Sequence, residues 1–158
     1  MKRIATDNPF SEENIRTLST LVGMMIPASE KYNVPGADDE SILAEIIVAV
    51  GDQSAMIVLG LEVLNEKARD EGRGSFTDLT DDLRMTIVEQ LKETSADFLQ
   101  NVVTRTSQCY YRDPRVMESL GMESRPPFPE GFEVEQSDWL MLDPVRDRGR
   151  IWRKPPGK

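Results

Sequence analysis

The sequence predicts an all-α fold: a compact bundle of about five to six helices, followed by a long, mostly irregular tail rich in proline and aromatic residues. Three observations carry this. Apolar residues recur three and four positions apart with little strand-like alternation; the breaks between such stretches hold Gly, Pro or a capping Ser, Thr or Asp; and no Asn-Gly or Asp-Gly hairpin signal occurs. The 158 residues suffice for one domain with a real core.

Pro9-Phe10-Ser11 leads into a first helix, with Ser11 as its cap, Glu12 and Glu13 at its positive end, and Ile15, Leu18, Val22 and Met25 on one face. Pro27 ends it. Residues 26–39, IPASEKYNVPGADD, read as a loop from Pro27, Pro35 and Gly36. Asp38 or Asp39 caps a second helix, whose apolar stripe is Ile42, Ile46, Ala49 and Val50, carried to about Gly51. A third helix from about Gln53 to Arg69 is apolar nearly all round, with Met56, Ile57, Val58, Leu59, Leu61, Val63 and Leu64. It is expected to be the central, most buried helix. After a break at Gly72, Gly74 and Ser75, Thr80 caps a fourth helix with Leu83, Ile87 and Leu91 inward and Phe76 stapling its start. A fifth, from about Ala96 to Tyr110, carries Phe98, Leu99, Val102, Val103 and Thr106.

The stretch from Cys109 to Phe132 joins this body to the tail. Asp113 is a good N-cap, Pro114 suits the first helical position, and Gly121 can close a short helix from about Pro114 to Leu120. Pro126, Pro127, Pro129 and Gly131 then favour an extended course. This divides the chain into a helical domain, 1–122, and an extended C-terminal tail, 123–158, packing on the body or on a partner. Phe128, Phe132, Trp139, Leu140, Met141, Leu142, Ile151 and Trp152 make the tail too apolar for a disordered linker, while its proline and charge density deny it a core of its own. Tyr110 and Tyr111 are adjacent, so one packs while the other meets solvent, tail or partner. The candidate partner-interface residues are therefore Tyr110, Tyr111, Arg112, Phe128, Phe132, Trp139 and Trp152.

Composition narrows the function classes. A net charge of -9 disfavours nucleic acid and anionic membrane as partners. From Asp143 onward six cations stand against two carboxylates, so that segment is +4 and the rest is -13. The single cysteine, Cys109, permits no intrachain disulfide. Histidine is absent, which removes the commonest general base and imidazole metal ligands, and there is no P-loop or GxGxxG. No run approaches the roughly 20 apolar residues of a membrane span. The opening MKRIATDNPF has Asp7, Asn8 and Pro9 where an apolar signal core would begin, so a cytoplasmic location without membrane insertion is expected.

Candidate chemistry has bland competitors. Glu45 and Glu62 on apolar helices suggest a carboxylate-bridged metal site, yet such sites also use Glu-x-x-His, and a solvated or partner-facing edge is favoured. Asp38, Asp39 and Glu40 lack the spacing of a calcium loop and read as a helix cap. Cys109 has only Arg105 or Arg112 to lower its pKa and reads as a buried thiol. Met24, Met25, Met56 and Met85 read as core fillers rather than a ligand groove. No catalytic, cofactor-binding or metal-binding residue is assigned.

The segment MMIPASEKYNVPGADD, the Phe76-Leu79-Thr80 helix entry, the aromatic-aromatic-x-Asp-Pro of Tyr110 to Pro114, and Leu120-Gly121 followed by the proline-rich stretch from Arg125 to Gly131 resemble the gluconate 2-dehydrogenase subunit 3 family. That family supplies the small subunit of flavin-dependent sugar and polyol dehydrogenases. The resemblance implies a noncatalytic accessory subunit that binds and stabilises a larger FAD-dependent flavoprotein of the glucose-methanol-choline type, with a cytochrome c as a candidate electron acceptor. It implies no cofactor in this chain and FAD in the partner. Many members begin with a twin-arginine signal; none is read in MKRIATDNPF, so the expectation is that the complex acts in the cytoplasm or that export is arranged by another chain. An alternative of another class is a self-contained helical domain that binds a small ligand or forms a homodimer. An independent enzyme using Glu45 or Glu62 ranks last.

Overall fold

The structure, a computed structural model, describes residues 9–125, 128–131, 133 and 136–149. The chain divides into two units, Met1–Arg125 and Pro126–Lys158. Among the described residues the first unit holds six α-helices: α1 Glu12–Met25, α2 Glu40–Val50, α3 Ser54–Asp70, α4 Asp81–Thr94, α5 Ala96–Tyr110 and α6 Pro114–Ser119. No strand occurs among them. The fold is all-α, as the apolar spacing predicts.

Ser11 starts α1 by accepting the Asn14 N–H at 3.1 Å, which satisfies one of the orphan donors of the first turn. The buried face of α1 is Asn14, Thr17, Leu18, Leu21 and Val22, so the helix is rotated from the predicted stripe, and Ile15 and Met25 lie at its margin. A polar contact explains the rotation. Asn65 of α3 takes the Thr17 hydroxyl proton at 3.0 Å and the Phe76 backbone N–H at 3.0 Å on one carbonyl oxygen, so three segments meet there without an unpaired acceptor. Phe76, fully buried, lies in a 3₁₀ turn, Phe76–Asp78, closed by a capping box between Ser75 and Asp78. Thr80 occupies the N-cap position of α4, but its side chain makes no capping hydrogen bond. The start of α4 is held instead by Arg84, which donates to the Phe76 and Thr77 carbonyls and pairs with Asp81.

Gly51, with φ 51° and ψ -126°, adopts a backbone that favours glycine and separates α2 from α3. Taken end to end, residues 40–70 have the length and apolarity of a membrane span, with 28 % of the most apolar window buried. The break at Gly51 divides them into helices of 11 and 17 residues. α2 packs on α5, while α3 packs on α1, α4 and α5. As expected, α3 has the most buried residues of the described helices, Ile57, Gly60, Leu61, Leu64, Asn65 and Ala68, but it is covered on one face only, and Leu59 is 62 % exposed. Its neighbours all lie to one side, and α5, touching α1, α2, α3 and α4, shares the centre of the bundle. Phe98 and Val102 of α5 fill that centre, and Val103 turns outward.

The loop before α2 has more order than its Pro and Gly punctuation suggests. Ser29 and Val34 exchange two backbone hydrogen bonds, at 3.0 and 3.1 Å, around a turn in which Asn33 has φ 52°. Ala37 N–H then donates to Ile26 O at 2.8 Å, bringing the ends of the loop together below α1 and α2. Of the four methionines assigned to the core, Met24, Met25 and Met56 pack against it, while Met85 is exposed; Met24 and Met25 also join Met85 along an open apolar groove between helices. That corrects the filler reading for Met85, because the small number of helices leaves one side of α1, α4 and α5 uncovered.

In the second unit a 3₁₀ turn, Trp139–Leu142, leads into a short helix, α7, Asp143–Asp147. Asp138 caps the turn by accepting the Leu140 N–H at 3.0 Å, and Arg146 pairs with Asp143 at 3.1 Å. None of these turn and helix residues is buried. Among its described residues the tail is mostly irregular, as expected, with a turn at 128–130 and these two elements as its local order.

Candidate functional site

The Asp-Pro step that follows α5 fixes the geometry of the surface around α6. Asp113 accepts the Arg115 N–H at 2.9 Å as N-cap, and Pro114 occupies the first turn, where a missing N–H breaks no bond. Gly121, at φ 73°, closes the helix in the left-handed conformation.

Arg115 then ties this short helix to the body. Its guanidinium reaches Asp39, the N-cap of α2, in a bidentate pair at 2.9 and 3.0 Å, and Asp113 through two further bonds at 2.8 and 3.0 Å. Ser41 lies 2.9 Å from the same guanidinium and donates its hydroxyl proton to Asp39 at 2.6 Å. One cation thus bridges the capping carboxylates of two helices, a planar match that a lysine would not reproduce. Hydrogen bonds from Arg115, then from Ser41, hold the Asp39 carboxyl far below the usual carboxylate range. Arg115 also lowers Asp113, and the two carboxylates raise the pKa of Arg115 in turn.

Between α6 and the Ser29–Val34 turn lies a cleft of about 700 Å³ lined by Tyr32, Asn33, Arg115, Glu118 and Ser119 among others. Tyr32 is exposed there with Lys31 over its ring, and Tyr111, Leu120 and Met122 are exposed along the flanking chain. A cluster of accessible aromatic and aliphatic groups on a braced frame is the usual composition of an interface centre.

Tyr110 and Tyr111 separate as their adjacency requires. Tyr110 is 5 % exposed and donates its hydroxyl proton to the Pro35 carbonyl at 3.1 Å, while Tyr111 is 55 % exposed and meets the Tyr110 ring edge-on at 5.3 Å between centroids. Tyr110 is therefore a brace between α5 and the loop before α2, and its ring does not reach the surface as an interface residue would. Tyr111 and Arg112 do. Phe128 and Trp139 are exposed in the second unit, and Phe132 and Trp152 lie outside the described residues.

A smaller pocket of about 310 Å³ brings Glu45, Cys109 and Arg112 together. Burial pushes the Cys109 thiol up, Arg112 and Arg105 oppose this, and Glu45 adds to it, so the thiol is not activated. Glu45 and Glu62 are both exposed. Among the described residues no three carboxylate, thiol or imidazole side chains gather as metal ligands would.

A model of the gluconate 2-dehydrogenase subunit 3 family matches residues 12–126, from the first residue of α1 to just past the end of the first unit. The chain belongs to that family. Neither the curated proteins nor the solved structures compared with it gave a match. The match covers all the helices of the first unit and the whole Arg115 clamp, so the geometry above is that of a subunit 3 fold.

Reading the sequence alone missed Tyr32 and Arg115. Tyr32 is the sole aromatic in a loop closed by Pro27 and Pro35, which is a usable signal for a presented side chain. Nothing in the spacing pairs Arg115 with Asp39, 76 positions away.

Proposed function

We propose that this protein is a noncatalytic accessory subunit of a dehydrogenase complex, binding and stabilising a larger FAD-dependent subunit of the glucose-methanol-choline type. Family membership over residues 12–126 is the observation that carries the reading, since the family is named for a dehydrogenase subunit. In this reading the flavin and the hydride chemistry belong to the partner, and a cytochrome c is a candidate acceptor for the whole complex. Tyr32, Tyr111 and Arg112 supply the aromatic and guanidinium anchors. The Arg115 clamp sets α6 before association, so little ordering entropy is lost on binding.

The test is co-expression of a tagged chain with a candidate large flavoprotein subunit of the glucose-methanol-choline type from the same genome. A stoichiometric complex with flavin absorbance, and more soluble large subunit than when that subunit is expressed alone, is the expected result. If the tagged chain comes away alone and the large subunit is equally soluble without it, the proposal is wrong.

A further inference from the structure

We propose that the apolar groove bounded by α1, α4 and α5 receives an amphipathic helix of the partner subunit, one with apolar residues at helical spacing and a lysine or arginine toward one end. This rests on the accessory-subunit reading and assigns it a second contact, away from α6.

The groove has a volume of about 420 Å³, and Leu21, Met24, Met25, Met85, Leu99 and Val103 supply most of its apolar wall. Met85 is 51 % exposed and Val103 turns its methyls to solvent. Such a wall costs solubility unless something covers it. Methionine, unbranched and polarizable, is suited to a surface that must adapt to an inserted apolar side chain. From Met85 to Lys92 the α4 wall runs about 10 Å, roughly two helical turns, which matches an i, i+3, i+7 stripe on an incoming helix.

At its Met24 and Met85 end the groove runs on into a second depression of about 530 Å³, where Pro27, Asp38, Asp81 and Arg84 replace the aliphatic wall. Asp38 lies over two glycines. A Cβ at Gly23 would come within 3.0 Å of the Asp38 carboxyl carbon, and one at Gly36 within 2.2 Å of a carboxylate oxygen, so the seat exists because both positions lack a side chain. The Asp38 carboxylate forms no hydrogen bond or ion pair among the described residues, whereas Arg84 beside it is already committed to two carbonyls and Asp81. An incoming cation thus meets an available carboxylate. Residues 1–125 carry 13 Lys and Arg against 22 Asp and Glu, a net charge of -9, which favours approach of a basic segment. Lys92, the charged residue of the groove wall, is paired with Glu89 at 2.6 Å, so apolar floor and the Asp38 end together specify an occupant that is apolar along its length and cationic at one end.

The probe is a fluorescein-labelled, two-heptad Leu/Lys amphipathic peptide titrated into the full chain and followed by anisotropy, beside the same peptide with every Lys replaced by Glu. The Lys peptide is expected to bind at least about tenfold more tightly than the Glu peptide. Met85→Glu and Val103→Glu, both at exposed positions and checked for unchanged helicity, are expected to weaken the Lys peptide about tenfold, and Asp38→Asn to narrow the gap between the peptides. No binding, equal binding of the two peptides, or an unchanged Met85→Glu affinity overturns the proposal. Decanoate that saturates the protein while the Lys peptide does not bind assigns the groove to a small apolar ligand instead, and also overturns it. Co-purification separates this from the parent reading. If wild type retains the large subunit and Met85→Glu retains it equally, the groove assignment falls while the accessory role stands; if wild type retains none, the accessory role falls.

Discussion

Replacing Arg115 by methionine keeps most of the stem and removes the cation that joins α6 to α2. Four charge-assisted contacts to Asp39 and Asp113 disappear, but the Arg115 side chain is 46 % exposed, so water recovers much of the interaction. The bidentate geometry places the loss above that of an ordinary surface pair, at about 1–2 kcal/mol near neutral pH. Asp39 and Asp113 titrate below the ordinary carboxylate value when folded. Their contribution is therefore complete above the unfolded value of about 4 and is lost as pH falls toward the folded values. The loss begins near pH 4 and, for Asp39, whose folded value lies far lower, continues below pH 3, so the contribution is reduced but not gone at about pH 3. Urea unfolding of the two proteins should show midpoints about 0.5–1 M apart at pH 7 and a smaller gap at pH 3. A gap that persists unchanged at pH 3, or a methionine variant as stable as wild type at pH 7, would refute the clamp.

Four further outcomes follow from the packing and the surface. Gly60→Ala puts a Cβ 2.2 Å from the buried Phe98 ring, so α3 and α5 must part; overpacking of about 1–3 kcal/mol outweighs a helix-propensity gain of about 1 kcal/mol, and thermal unfolding should move down by several degrees. Asn65→Leu leaves the Thr17 hydroxyl and Phe76 N–H without their acceptor and should cost about 2–4 kcal/mol in chemical denaturation. Thr106, fully buried on α5, has a hydroxyl with no hydrogen-bond partner among the described residues, so Thr106→Val should raise the urea midpoint, a gain of about 1 kcal/mol. Tyr32→Ala with Tyr111→Ala should weaken retention of the large subunit about tenfold or more in the co-purification assay while lowering thermal unfolding by only a few degrees, the loss of the Tyr110–Tyr111 edge contact.

The sequence by itself determined the helices, because their ends are local chemistry. Ser11, Asp39 and Asp113 cap within their own first turns, Gly51 and Gly121 supply the positive φ of two breaks, and apolar spacing marks Leu18, Ile42, Ile46, Ile87 and Val102 as inward. It also determined that one of Tyr110 and Tyr111 must face out, since a helix cannot turn neighbouring residues the same way. Tertiary structure decided which side of each helix is covered, a matter of how many neighbours fit around it: Leu59 and Met85 are as apolar as their buried companions yet lie on faces that no helix of the bundle reaches. It decided the face of α1 too, because Thr17 turns inward only where Asn65 arrives to take its proton. The surface around α6 depends on the same long-range step, for the capping propensity of Asp39 and Asp113 is written locally, whereas the single arginine that joins them acts only once folding has brought residues 76 positions apart within hydrogen-bond reach.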